Sequence, residues 1–107
     1  MPQHHLEWQD SKEPHEDIWK MANAYCKQLS LDGKNDWRLP TQEELVALAA
    51  EGDLKKRFHY LQKHVYWSTQ SDPQEDLNAM AVYIGNGFVS SNDKCESNFI
   101  VCVRSQK

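Results

Sequence analysis

The segment Asp36-Trp37-Arg38-Leu39-Pro40-Thr41-Gln42-Glu43-Glu44-Leu45 constrains this chain more than any other. Pro40 cannot extend a preceding helix, and it pushes Leu39 towards an extended backbone. Thr41 is a helix-capping residue type. Glu44 follows three positions later, so its carboxylate reaches back to the Thr41 amide. The ten residues therefore predict strand or loop, a sharp stop, and then a capped helix. Arg38 stands between two large apolar residues, and an Arg so placed must be paired to be tolerated. Its expected role is to hold the loop through a carboxylate or backbone carbonyls, in preference to clamping an anion. Trp37, Arg38, Thr41 and Glu44 are thus read as structural residues.

The rest of the chain supplies helices first and strands later. Residues 6 to 9 suit a short edge strand, and residues 11 to 14 a polar turn. Pro14, followed by Glu16 and Asp17, has the chemistry of a helix start. Ile18, Ala22, Tyr25, Cys26 and Leu29 recur at helical spacing, which predicts a first helix from Pro14 to Leu29 closed by Asp32-Gly33. A second helix follows Thr41, with Leu45, Leu48 and Ala49 as its buried stripe and Gly52 at its end. Asp53 could cap a short third helix carrying Leu54, Phe58 and Leu61. Beyond Lys63 the pattern changes to strand: residues 65–69, then 78–84, then 88–90 after a Gly85-Asn86-Gly87 turn, and 99–104 last. Residues 70–76 and 91–98 read as polar loops. This order predicts an α+β domain over residues 1–107, with two or three helices packed on a small twisted antiparallel sheet and its terminal strands adjacent. Trp8, Trp19, Trp37 and Trp67 are expected to knit the core, each needing a partner for its indole N–H.

Composition excludes several classes. A chain of 107 residues has room for one modest core. With 39% hydrophobic and 26% charged residues it is globular and not disordered. No apolar run approaches the roughly 20 residues of a membrane span. The formal net charge of −4 argues against a nucleic-acid surface. One local basic cluster exists at Lys55, Lys56, Arg57, His59, Lys63 and His64, and its plain reading is a solvated helix face.

Chemistry is sparse. His59 and His64 are five apart, which does not set them on one helix face, and no HExxH frame accompanies them. A calcium site would draw hard oxygen ligands from Asp72, Glu75, Asp76, Asn78, Asn92, Asp93 and Glu96, but solvated acidic loops explain the same residues, so no cofactor is assigned. No GxSxG, P-loop or dinucleotide fingerprint is present. Cys95 lies between Lys94 and Glu96, which gives its thiolate no strong stabilisation. The residues best suited to recognition are small polar groups after strands: Ser68, Gln70, Asp72, Asn78, Asn92, Asp93 and Lys94, flanked by Tyr66, Trp67, Tyr83 and Phe88.

Three stretches together resemble the Lcl C-terminal domain family, bacterial domains named after a collagen-like adhesin. They are Leu6-Glu7-Trp8-Gln9-Asp10; Trp19 through Tyr25-Cys26 to Asp36-Trp37-Arg38-Leu39-Pro40-Thr41 and Glu44-Leu45; and Tyr66-Trp67-Ser68-Thr69 with Val101-Cys102-Val103-Arg104. The resemblance implies a fold like that of C-type lectins and formylglycine-generating enzymes. It also implies an exported or surface module, periplasmic, cell-surface or secreted. The opening residues carry no signal-peptide pattern, which leaves a cytosolic chain or a piece of a longer exported protein; the resemblance points to the second. In lectin-like folds the first helix is commonly stapled to the last strand, which implies a Cys26–Cys102 disulfide with Cys95 left over. The alternative is three reduced cysteines, two of them acting as small core residues. The namesake binds sulfated glycans; a similar ligand here would need the Lys55–His64 cluster. The expected function is non-catalytic binding of a glycan or a surface protein through the late loops, with a homo-oligomer or multi-domain parent supplying valency. The rivals are an assembly module of a larger secreted protein and an enzyme of the formylglycine-generating kind, which would need a reactive Cys95.

Overall fold

The computed structural model describes residues 6–9, 15–30, 33–50 and 64–105. Two helices and seven strands occur among them: β1 Leu6–Trp8, β2 His15–Asp17, α1 Trp19–Gln28, α2 Gln42–Ala50, β3 Val65–Asp72, β4 Glu75–Tyr83, β5 Phe88–Asp93, β6 Asn98–Ile100 and β7 Val103–Ser105. A five-stranded sheet has the order β2-β6-β3-β4-β5, and β1 pairs with β7 in a second, two-stranded sheet. Pairing is antiparallel except between β3 and β6, so the main sheet is mixed and not purely antiparallel as expected. The terminal strands are adjacent, as the sequence predicted.

The main sheet is covered on both faces. Tyr66 and Val82 oppose each other across β3 and β4 and pack with Leu45 and Leu48 of α2. The next pair, Trp67 and Ala81, packs with Ala22 and Cys26 of α1, together with Trp37 and Leu39. Neighbouring residues of a strand point to opposite faces, so this division sets one helix on each side.

The Pro40 segment behaves as its residues dictate. Thr41 Oγ1 accepts from the Glu44 amide at 3.1 Å, and Glu44 Oε1 accepts from the Thr41 amide at 2.8 Å. Arg38 donates both terminal nitrogens to the two Glu44 oxygens at 2.8 and 2.9 Å. The Arg38 backbone bridges to Val103, its N–H and C=O both engaged. Thus one decapeptide ties α2 to the last strand. Leu45, Leu48 and Ala49 are the buried stripe of α2.

The first helix begins at Trp19, later than expected, and residues 15–17 are strand β2 instead. The acidic pair does not serve the helix dipole. Asp17 accepts the Ile18 amide through Oδ1, and its carbonyl accepts the Trp67 indole at 2.8 Å. The helix start is satisfied from elsewhere: the Trp19 amide donates to the carbonyl of Lys94. Three indoles have backbone partners, the others being Trp19 to Ser68 and Trp37 to Lys34.

Strand lengths also depart from expectation. Residues 70–72 belong to β3, 75–76 to β4 and 91–93 to β5, so most of the two expected polar loops is sheet. A two-residue turn at Pro73-Gln74 replaces the first loop, with Asp72 Oδ1 accepting the Gln74 amide. Expected strand 99–104 is broken at Val101-Cys102, where the chain leaves the main sheet for the small one. Buried Gln9 bridges that break, donating its amide to Cys102 O and accepting the Cys102 amide through Oε1. Cys26 and Cys102 form a disulfide with a Cα–Cα distance of 5.5 Å, and Cys95 is free and exposed. The third helix at 53–61, Gly52 and the Lys55–Lys63 part of the basic cluster lie outside the described residues.

Candidate functional site

The recognition candidates fall into three settings. Ser68 and Gln70 belong to an irregularity in β3. The β3–β4 register runs Trp67↔Ala81 and then Ser71↔Ala79, so residues 68–70 bulge out of the ladder. Each bulge residue then finds a partner elsewhere. Ser68 Oγ donates to the Met80 carbonyl at 2.8 Å and accepts the Gln70 amide. The Thr69 amide donates to Pro40 O, and Gln70 Oε1 accepts the Gln42 amide at the start of α2. Ser68 is 0% exposed. Burial therefore removes Ser68 from the surface set, and Gln70 is committed to a helix end. Bulges often re-aim a strand in this way.

The second setting is an exposed network at the far end of β3, β4 and β5. Ser91 Oγ donates to Asp72 Oδ2 at 2.6 Å and accepts from Asn78 Nδ2 at 3.1 Å. Hydrogen bonds from Ser91 first, and from the Gln74 amide next, hold the Asp72 carboxyl below the usual carboxylate range. Asn78 shares a face with Met80 and Val82, so the network continues the α2 face of the sheet beyond the helix. It was not legible as a unit, because Ser91 looked like loop. Strand alternation from Val82 through Met80 to Asn78 was the available signal.

Asn92, Asp93 and Lys94 make the third setting. Asn92 opposes Ala79 on the α1 face and donates to Asn98 Oδ1 at 3.3 Å. Among the described residues, Asn98 Nδ2 is enclosed without a hydrogen-bond partner, a cost of about 1–3 kcal/mol. Asp93 Oδ1 accepts the Cys95 amide. Lys94 Nζ donates to the Asp76 carbonyl at 2.6 Å and sits 4.7 Å from the Trp19 ring centroid, a cation–π distance. Trp19 is thus a participant at this end of the molecule that the sequence reading placed only in the core.

Metal and membrane chemistry can be compared with this geometry. Asp72 and Asp93 already accept protein hydrogen bonds, and Asp72 uses both oxygens. Among the described residues no three of His, Cys, Asp and Glu cluster as metal holders. Among the same residues no helix is long and apolar enough to cross a membrane. His64, the described member of the basic cluster, stacks on Phe99 with ring centroids 3.9 Å apart.

No curated protein matches the chain. The family model of the Lcl C-terminal domain matches residues 2–104, nearly the whole sequence. That span takes in β1, the Pro40 segment, the disulfide and the first two residues of β7, and this chain belongs to the Lcl C-terminal domain family.

Proposed function

We propose that this domain is a non-catalytic binding module of an exported bacterial protein, with a C-type-lectin-like fold, and that it recognises the hydroxyl groups of a glycan. The observation that carries the reading is the Asp72–Ser91–Asn78 network. A hydroxyl, an amide and a carboxylate are locked together on an exposed sheet end, where no helix needs capping. Groups pre-ordered in this way lose little freedom on binding. Sugar hydroxyls both donate and accept, and so do the Ser and Asn of the network. The Cys26–Cys102 disulfide suits an oxidising compartment. Cys95 lies in a turn whose neighbouring Lys94 is already engaged with Trp19 and Asp76, which supports binding over thiol chemistry.

Backbone amide NMR shifts, followed during titration with a panel of neutral oligosaccharides, test the reading. Shifts concentrated at residues 72, 78 and 91, little changed by salt and abolished by Asn78→Ala, are expected. A ligand whose affinity falls steeply with salt would move the site to a basic surface and sink this reading. A second reading, an assembly module of a larger exported protein, is favoured by the open edge of β5. Silence across the glycan panel would favour it.

A further inference from the structure

We propose that β5 is a self-association edge, through which two copies of this chain join their five-stranded sheets by antiparallel pairing of residues 89–93. Among the described residues, the outer strands of the sheets are not alike. β2 has three residues, two of them Glu16 and Asp17. In the two-stranded sheet, β7 is bridged by Arg38 on the side away from β1, and β1 has three residues and carries Glu7. Short, charged edges are the usual guard against strand addition. β5 has six residues and pairs with β4 in unbroken register from Asn78↔Asp93 to Tyr83↔Phe88. It contains no Pro, no Lys and no bulge, and Val89-Ser90-Ser91-Asn92 is uncharged.

Backbone direction fixes the register. The Lys94 amide donates to Leu77 O. Alternation along an antiparallel ladder then turns the N–H and C=O groups of Val89, Ser91 and Asp93 away from β4. A two-fold pairing that uses all three sets Ser91 against its own copy and Val89 against Asp93. The two Asp93 carboxylates are thereby kept apart, whereas a parallel arrangement would align them. Phe88, 66% exposed at the start of β5, comes to lie at the seam beside Lys94 of the second copy. Paired strands alone cover far less than the roughly 1,200–2,000 Å² of a standard stable interface, so association is weak and concentration-dependent. The two-fold brings two Asp72–Ser91–Asn78 networks onto one face, a route to avidity for weak sites.

Sedimentation velocity from micromolar to millimolar concentration tests the proposal, in a Cys95→Ser background so that no intermolecular disulfide intervenes. The sedimentation coefficient is expected to rise towards that of a dimer. Ser91→Lys and Ser91→Glu should each stay monomeric, because like charges then face each other at the two-fold. An equimolar mixture of the two should recover the dimer, which also shows that both variants fold. The proposal is overturned if the unsubstituted edge stays monomeric throughout, which would leave β5 to a strand of a different protein. A dimer that survives both substitutions, or a mixture that fails to re-form it, overturns it equally.

Discussion

Glu44 is the residue on which the Pro40 segment turns. Its carboxylate accepts from Arg38 twice and from the Thr41 amide, while its own amide is capped by Thr41. Burial pushes its carboxyl up, but the hydrogen bonds from Arg38 and Thr41 together outweigh that and hold it below its ordinary value. The Glu44 hydrogen bond in turn pushes the Arg38 guanidinium up. A depressed carboxylate stabilises the fold above its unfolded value of about 4.5, and that contribution is lost as pH falls through the lower folded value. Denaturant midpoints of the wild type and Glu44→Gln, measured from pH 7 downward, should differ most near neutrality and converge in acid. A gap that persists unchanged at low pH would contradict the charge-based account. Half-exposure of Arg38 limits the size of the neutral-pH loss to about 2 kcal/mol. Thr41→Ala removes only the cap and should cost about 1 kcal/mol in the same unfolding assay. A neutral Thr41→Ala would mean that the capping box is geometry without energy.

At the scale of elements, legibility followed how local each signal was. The α2 cap and its buried stripe use contacts three and four residues apart, and both were readable from the chain. The start of α1 was not, because Asp17 answers to Trp67 and Trp19 answers to Lys94, partners far away in sequence. The extents of β3 and β5 were missed for a different reason. Ser71, Asp72, Ser91 and Asn92 are polar because they line an exposed sheet end, and polarity alone does not separate an exposed strand from a loop. The bulge at Ser68 belongs to the same class. Its hydroxyl closes a ladder gap that no local pattern announces. Ser68→Ala should therefore cost about 1–3 kcal/mol in urea unfolding, by leaving the Met80 carbonyl without its donor. A cost near zero would show that the ladder can close without it. The network of Asp72, Asn78 and Ser91 was legible residue by residue but not as a cluster, since the bulge and the Pro73-Gln74 turn bring it together.

Across the whole molecule, the weak point is the place where the chain passes from one sheet to the other. β6 ends at Ile100 and β7 begins at Val103, so residues 101 and 102 belong to neither ladder. Three devices fix that passage. Gln9 takes up both Cys102 backbone groups, Arg38 bridges to Val103, and the disulfide ties Cys102 to α1. Arg104 extends the clamp by donating to Asp36 and Glu7, and Lys34 also reaches Glu7. The disulfide differs from the others because it also acts on the unfolded chain. Cys26 and Cys102 are 76 positions apart, so cross-linking them removes a long loop from the unfolded ensemble. The chain-entropy account assigns so long a loop somewhat over 4 kcal/mol, and disulfides typically realise about 2–4 kcal/mol. The paired variant Cys26→Ala/Cys102→Ala should lose that much, read from urea unfolding against the oxidised protein. Its m-value should also rise, because an unlinked chain exposes more surface when it unfolds. A loss with an unchanged m-value would place the effect in the native state, where Gln9, α1 and the sheet passage meet. A lost midpoint with a raised m-value would place it in the unfolded chain, and would mean that hydrogen bonds from Gln9 and Arg38 suffice to hold the two sheets together once folded.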